Sequence, residues 1–149
     1  MNVEASWATF SANAEQFDKQ IEGLRGQLAS IAADHAGARV AMTEPLPGYL
    51  IEAAGLHDVT PPEFAHAIEE GHDPSASALA DMLVLFGSDP VDVLILNTQT
   101  QSAATDQVKQ AAEDAGVPVV SMSETLTSVD YVTWMGGQIT ALAEALNGG

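Results

Sequence analysis

Two glutamates stand at places where a turn usually takes Gly, Asn or Asp. Glu44 follows the apolar run "RVAMT" and Glu124 follows "VPVVSMS", while "VDVLIL" runs into Asn97, Thr98, Gln99 and Thr100. Each run reads as a short buried strand. In open parallel sheets, ligands bind just beyond the carboxyl ends of the strands, so the polar groups after these three strands would converge on one edge of a sheet. A carboxylate pair there can attract a cation. It can also divide acid and base roles when burial separates the two pKa values. More simply, each acid can sit near the positive N-terminal end of the helix that follows. The pattern alone leaves these readings open.

The elements that would position these residues follow from periodicity. Trp7, Phe10, Ala14, Phe17, Ile21, Leu24, Leu28 and Ile31 recur at alternating steps of three and four, which predicts one long amphipathic helix from residue 3 to about 33 with a packing face. Gly23 and Gly26 weaken it and allow a kink. After "HAGAR" the chain alternates strand and helix: a strand over 39–43, a helix in "PGYLIEAAG" begun by Pro47, and a short strand in "LHDVT". Helices follow in "PPEFAHAIEEG" and in "DPSASALADMLVLFG", the second capped by Asp73. "VDVLILN" is a continuous Val-Leu-Ile run of the kind buried on both faces. The helix "SAATDQVKQAAEDAG", the strand "VPVVSM" and a closing helix in "SVDYVTWMGGQITALAEALN", weakened at Gly136-Gly137, complete the order. Residues 147–149 read as a frayed end. The expected fold is α/β: a four-stranded parallel sheet flanked by helices and preceded by one long N-terminal helix. A chain of 149 residues that is 46% hydrophobic fits a single domain with a real core.

Composition removes several classes. With no cysteine there is neither a disulfide scaffold nor a thiolate metal site. Four basic residues against 21 acidic ones give a formal charge of −17, which repels nucleic acid and anionic membrane but concentrates cations. A lysine-poor, salt-adapted proteome would produce the same balance. "MNVEASWATF" has neither the basic nor the apolar region of a secretory signal, and read literally such a start is cytoplasmic. There is no Gly-x-Ser-x-Gly elbow, Walker-A loop or Gly-x-Gly-x-x-Gly turn. His57, His66 and His72 are spaced nine and six apart, unlike a compact metal-binding pair, and read as surface or capping residues.

Five segments, "TEPLPGYLIEAAGL", "TPPEFAHAIEEGHDP", "VDVLILNTQT", "AAEDAGVPVVSMSETL" and "DYVTWM", resemble the C-terminal half of the zinc- and manganese-specific solute-binding proteins of ABC importers, in the manner of actinobacterial members. That family has two α/β lobes joined by a long rigid helix, with the metal in the cleft between them. The resemblance implies that residues 1–35 are the connecting helix and 36–149 the C-terminal lobe. It implies a Zn2+ or Mn2+ site with two ligands from each lobe, those from the first lobe usually histidines. By position, Glu44 in "TEPLPGYL" and Glu124 in "VVSMSETL" would be the second lobe's pair. Ser123 is the neighbouring alignment possibility and a poor ligand, and Asp130 reads better as a helix cap. Asn97 and Thr98 would hold the carboxylates in position without touching metal.

Two carboxylates favour harder divalent ions, yet the Irving–Williams order gives zinc an affinity advantage over manganese. With half the ligands, metal binding by this chain alone is expected to be weak, on the order of 10 µM or weaker. The partners implied are the divalent ion, an N-terminal lobe or a second copy, and an ABC permease, with an extracytoplasmic location for the parent system and no nucleic acid. The alternative is an interaction or scaffold domain without metal. An enzyme is not expected, because no nucleophile, lysine or histidine completes a constellation at a strand end.

Overall fold

Among the described residues the alternation of strand and helix resolves into ten elements: α1 (Val3–Asp34), β1 (Arg39–Met42), α2 (Gly48–Ala53), β2 (His57–Asp58), α3 (Pro62–Glu69), α4 (Ala76–Val84), β3 (Val93–Asn97), α5 (Ala103–Asp114), β4 (Val119–Met122) and α6 (Tyr131–Gly148). The computed structural model describes residues 3–45, 48–126 and 130–148. The proposed starts of α2 at Pro47 and of the closing helix near Ser128 lie outside the described residues.

The four strands form one all-parallel sheet in the order β2-β1-β3-β4. Alternate side chains point to opposite faces of a strand, and both faces are apolar. Val40, Met42, Val93, Ile95, Val120 and Met122 pack with Leu28 and Ile31 of α1, Leu50 of α2, and Ile139 and Leu142 of α6. Ala41 and Leu94 pack on the other side with Phe64 of α3, Met82 of α4 and Val108 of α5. The chain leaves β1 toward β2 through α2 on the first face, and leaves β3 toward β4 through α5 on the second. Opposite directions on opposite faces are what a uniform crossover hand requires. The switch point therefore falls between β1 and β3, and a crevice opens beyond their carboxyl ends.

α1 runs without interruption through Gly23 and Gly26, but its apolar stripe divides. Leu24, Leu28 and Ile31 are buried in the core, whereas Trp7, Phe10 and Phe17 are 66%, 67% and 49% exposed. The packing face is thus a core face only over the C-terminal half. α6 likewise passes through Gly136-Gly137 unbroken. Gly136 marks its approach to α1, where an added methyl would lie 3.4 Å from Leu24 Cδ2. At Gly55 the chain takes φ +66, and an added Cβ would lie 3.1 Å from Ala32 Cβ, so both backbone conformation and space call for glycine there.

Two local features differ from the sequence expectation. The cap of α4 is Ser75, not Asp73: the helix starts at Ala76, and the Ser75 hydroxyl accepts the Ala78 N–H at 3.1 Å. Asn147 and Gly148 are helical rather than frayed, because Asn147 Oδ1 lies 3.1 Å from His35 Nε2 near the end of α1. Asp130 does cap α6. It accepts the Thr133 N–H and hydroxyl, each at 2.8 Å, and these bonds hold its carboxyl below the usual value.

Candidate functional site

The site is built from the last residues of β1 and β3. Thr43 and Asn97 are both fully buried. The Thr43 N–H donates to the Ile95 carbonyl and its hydroxyl accepts the Asn97 N–H, both at 3.0 Å, so the two strand ends are pinned together. Glu44 is the next residue after Thr43 and therefore leaves the sheet beside β3.

The Asn97 side chain sets the arrangement. Its Oδ1 accepts the Gln99 N–H at 2.9 Å, which fixes the amide orientation and directs the NH2 group to the carboxylates. Nδ2 donates to Glu44 Oε2 at 2.6 Å and makes a longer 3.4 Å contact with Glu124 Oε1. These two carboxylate oxygens can be no more than about 6 Å apart. The Thr100 hydroxyl also donates to Glu44 Oε2, at 2.6 Å. Among the described residues both donors fall on one oxygen, Oε2, and none on Oε1.

Glu124 is placed by Gln99, which bridges two loops. The Gln99 Oε1 accepts the Glu124 N–H at 2.9 Å, and its Nε2 donates to Thr125 Oγ1 at 2.6 Å. Thr98 is directed elsewhere: its N–H and hydroxyl both donate to the Met122 carbonyl, at 3.0 and 3.2 Å, stitching β3 to β4 beneath the site. Ser123 faces α6, where its N–H donates to Gln138 Oε1 at 2.8 Å and its hydroxyl accepts the Trp134 indole N–H at 3.0 Å. The structure thus brings Glu44, Asn97 and Glu124 together and leaves Thr98 in the sheet. Gln99 and Thr100 are the residues that strand-end reasoning named only as neighbours. Their adjacency to Asn97 was a signal, but the reach of each side chain depends on the loop conformation.

The electrostatics are one-sided. Among the described residues, neither glutamate forms an ion pair, and Arg25, Arg39 and Lys109 pair with Glu22, Asp89 and Glu113 instead. The carboxylates therefore face each other through neutral donors, an arrangement that a cation would relieve. No group of three or more His, Cys, Asp or Glu residues gathers among the described residues. His57 is exposed on β2, and His66 and His72 lie on the surface 3.4 and 3.6 Å from Glu70. Beside Glu124 an open hollow is lined by Tyr49, Leu126, Tyr131 and Trp134. A hydrogen bond with Tyr131, together with partial burial, pushes the Tyr49 phenol up to about 12.

A four-stranded parallel α/β fold preceded by one long helix matches a known class. The chain belongs to the family described as ZnuA, zinc-uptake complex component A, periplasmic, whose model matches residues 4–145. Its fold is similar to that of the solute-binding protein FpvC from Pseudomonas aeruginosa, solved in complex with Mn2+. That match has a TM-score of 0.67 at 23% identity and covers 97% of this chain and 54% of FpvC. It is also similar to a mutant structure of the laminin-binding adhesin Lmb from Streptococcus agalactiae, with a TM-score of 0.66 at 14% identity, covering 92% of this chain and 51% of that one. The chain therefore spans about half the length of these proteins. No curated protein sequence matches it.

Proposed function

We propose that the chain is one lobe of a metal-binding component of an ABC importer, with residues 1–35 as the connecting helix and 36–149 as the lobe. In this reading Glu44 and Glu124 form half of a site for Zn2+ or Mn2+, carried as cargo outside the cytoplasm and delivered to a permease. The observation that supports it is the Asn97 amide, which reaches both carboxylates from a buried strand end. Zn2+ binds carboxylate oxygens at about 2.0–2.2 Å, so a bridging ion needs the two oxygens to draw together by a small side-chain rotation. Glu44 Oε1 and the exposed Glu124 are free to do so. Asn97 and Thr100 would keep Glu44 in place, and Thr98 would hold the β3–β4 edge beneath the site, without any of them touching the ion. The other two ligands would come from an N-terminal lobe or a second copy.

The test is calorimetric titration of the metal-stripped chain with Mn2+ and Zn2+, alongside Glu44→Ala and Glu124→Ala. The expected dissociation constant is on the order of 10 µM or weaker, because half of the ligands are missing, and either substitution should abolish binding. Nanomolar binding by a monomer would contradict the half-site. Binding unaffected by both substitutions would move the metal elsewhere.

A further inference from the structure

A site built on two glutamates has to distinguish between cations that all favour oxygen. Ca2+ takes about six to eight oxygen ligands and often holds a carboxylate by both of its oxygens. Zn2+ is usually four-coordinate, so one oxygen from each carboxylate is enough. A chain of charge −17 gathers both ions from its surroundings. Two glutamates free to bind through all their oxygens would therefore admit calcium as readily as their geometry allows.

Glu44 is not free in that way. A carboxylate oxygen has two lone pairs, and on Oε2 both are engaged: Asn97 Nδ2 and the Thr100 hydroxyl each donate to it at 2.6 Å. Such short bonds to a charged acceptor belong to the stronger class. A cation can take Oε1 without disturbing them, but it can take both oxygens only by displacing a donor. Glu124 carries no such restriction, since among the described residues its carboxylate makes only the 3.4 Å contact with Asn97. The two donors to Oε2 also differ. Asn97 ends a buried strand, and its amide holds the Gln99 N–H as well. The Thr100 hydroxyl is half-buried and bonds, among the described residues, to Glu44 alone. Resting on the half-site reading above, we infer that Thr100 is a positioning residue that sets cation selectivity. By occupying Oε2 it confines Glu44 to one-oxygen binding, which disfavours Ca2+ and leaves Zn2+ unhindered. Every group in this arrangement belongs to the described residues, so it holds whatever else faces the strand ends.

Calorimetric zinc titration with and without about 10 mM Ca2+ tests this on the parent, Thr100→Val, Thr100→Ser and Glu44→Ala. Val keeps the β-branched shape of Thr but cannot donate, whereas Ser restores the hydroxyl. Calcium should weaken zinc binding no more than about twofold in the parent. In Thr100→Val it should do so about tenfold, because a hydrogen bond to a charged group contributes a factor of about ten or more and no longer has to be displaced. Thr100→Ala, a second donor-free variant, should match it. Thr100→Ser should return to the parent ratio, a rescue that packing alone does not give. Because the calcium effect is a ratio taken within each variant, any change in zinc affinity itself drops out. The general attraction of Ca2+ to an acidic chain acts alike on the parent and the Thr100 variants. An equal calcium effect in the parent and Thr100→Val overturns the inference, and so does Thr100→Ser behaving as Thr100→Val. If Glu44→Ala still abolishes zinc binding in that case, the half-site stands without the selectivity. Zinc binding that survives Glu44→Ala, or none in the parent, removes the half-site and this inference with it.

Discussion

Removing the Asn97 amide is the sharpest perturbation of the strand-end site. In Asn97→Ala, Glu44 loses a 2.6 Å donor and the Gln99 N–H loses its acceptor, while the long contact to Glu124 adds little. A hydrogen bond to a charged group contributes about 1.5–3 kcal/mol and a neutral one about 0.5–1.5 kcal/mol. Because Glu44 is half-buried, water recovers part of the first, so the expected cost is about 2–4 kcal/mol. In a chain of this size that lowers the melting temperature by about 5–15 °C. Urea unfolding followed by circular dichroism gives the free energy directly. A double-mutant cycle with Glu44→Ala isolates the pair, and contacting residues should show a coupling of at least about 1 kcal/mol. Asn97→Asp sharpens the contrast by placing a third carboxylate beside two others. At neutral pH it should be less stable than Asn97→Ala, regaining stability on acidification or on addition of a divalent ion. An Asn97→Ala chain that melts within about 1 °C of the parent, or an Asn97→Asp chain as stable as the parent at neutral pH without metal, would refute this role for the Asn97 amide.

Other outcomes follow from the same geometry. Leu142→Ala, at a fully buried position on α6, should cost about 2–5 kcal/mol, whereas Val84→Ala, at a position 72% exposed, should change denaturant stability by less than about 0.5 kcal/mol. Ser102→Ala breaks the capping box that Ser102 and Thr105 form at the start of α5 and should cost about 1 kcal/mol in the same assay. Tyr49 and Tyr131 are the two tyrosines of the chain, so absorbance titration can follow them directly. Tyr49 should ionise near pH 12 and Tyr131→Phe should bring it back toward 10. Its contribution to stability is complete below pH 10 and is lost as the pH rises through about 12. Asp130 has the opposite sign. Its lowered pKa contributes stability above the unfolded value of 3.8, lost as pH falls through the lower folded value, and Asp130→Asn should reduce that acid sensitivity.

The features legible in the sequence were those carried by local pattern. The Val93–Leu96 run could only be a buried strand, and the change from a helical period to alternating strands and helices after residue 35 defined the sheet. The strand-end rule placed Glu44, Asn97 to Thr100, and Ser123 to Thr125 beyond three strands, since it needs only where each strand stops, and the family resemblance chose Glu44 and Glu124, with Asn97 and Thr98, from that set. Periodicity identifies a helix face but not what lies opposite, so the stripe of α1 could not be divided into its buried and exposed halves. Asp73 and Ser75 are both competent caps, and the choice depends on where the first helical turn closes. Thr98 and Thr100 are chemically alike. That Thr100 turns to Glu44 while Thr98 bonds to Met122 is decided by the backbone path after β3, which no single-residue preference encodes.

Gln99 has a kinetic consequence. It ties the residues after β4 to those after β3 through one amide side chain, with its two bonds falling on Glu124 and Thr125. Freeing the Glu124 amide from β3 therefore requires no strand to unzip but that this glutamine leave its rotamer, an event of nanoseconds to microseconds rather than milliseconds. An ion held there could exchange at rates set by a side-chain latch. The Glu124 amide hydrogen, sheltered by that same latch, should exchange with solvent far faster than the amides of β3 only a few ångströms below.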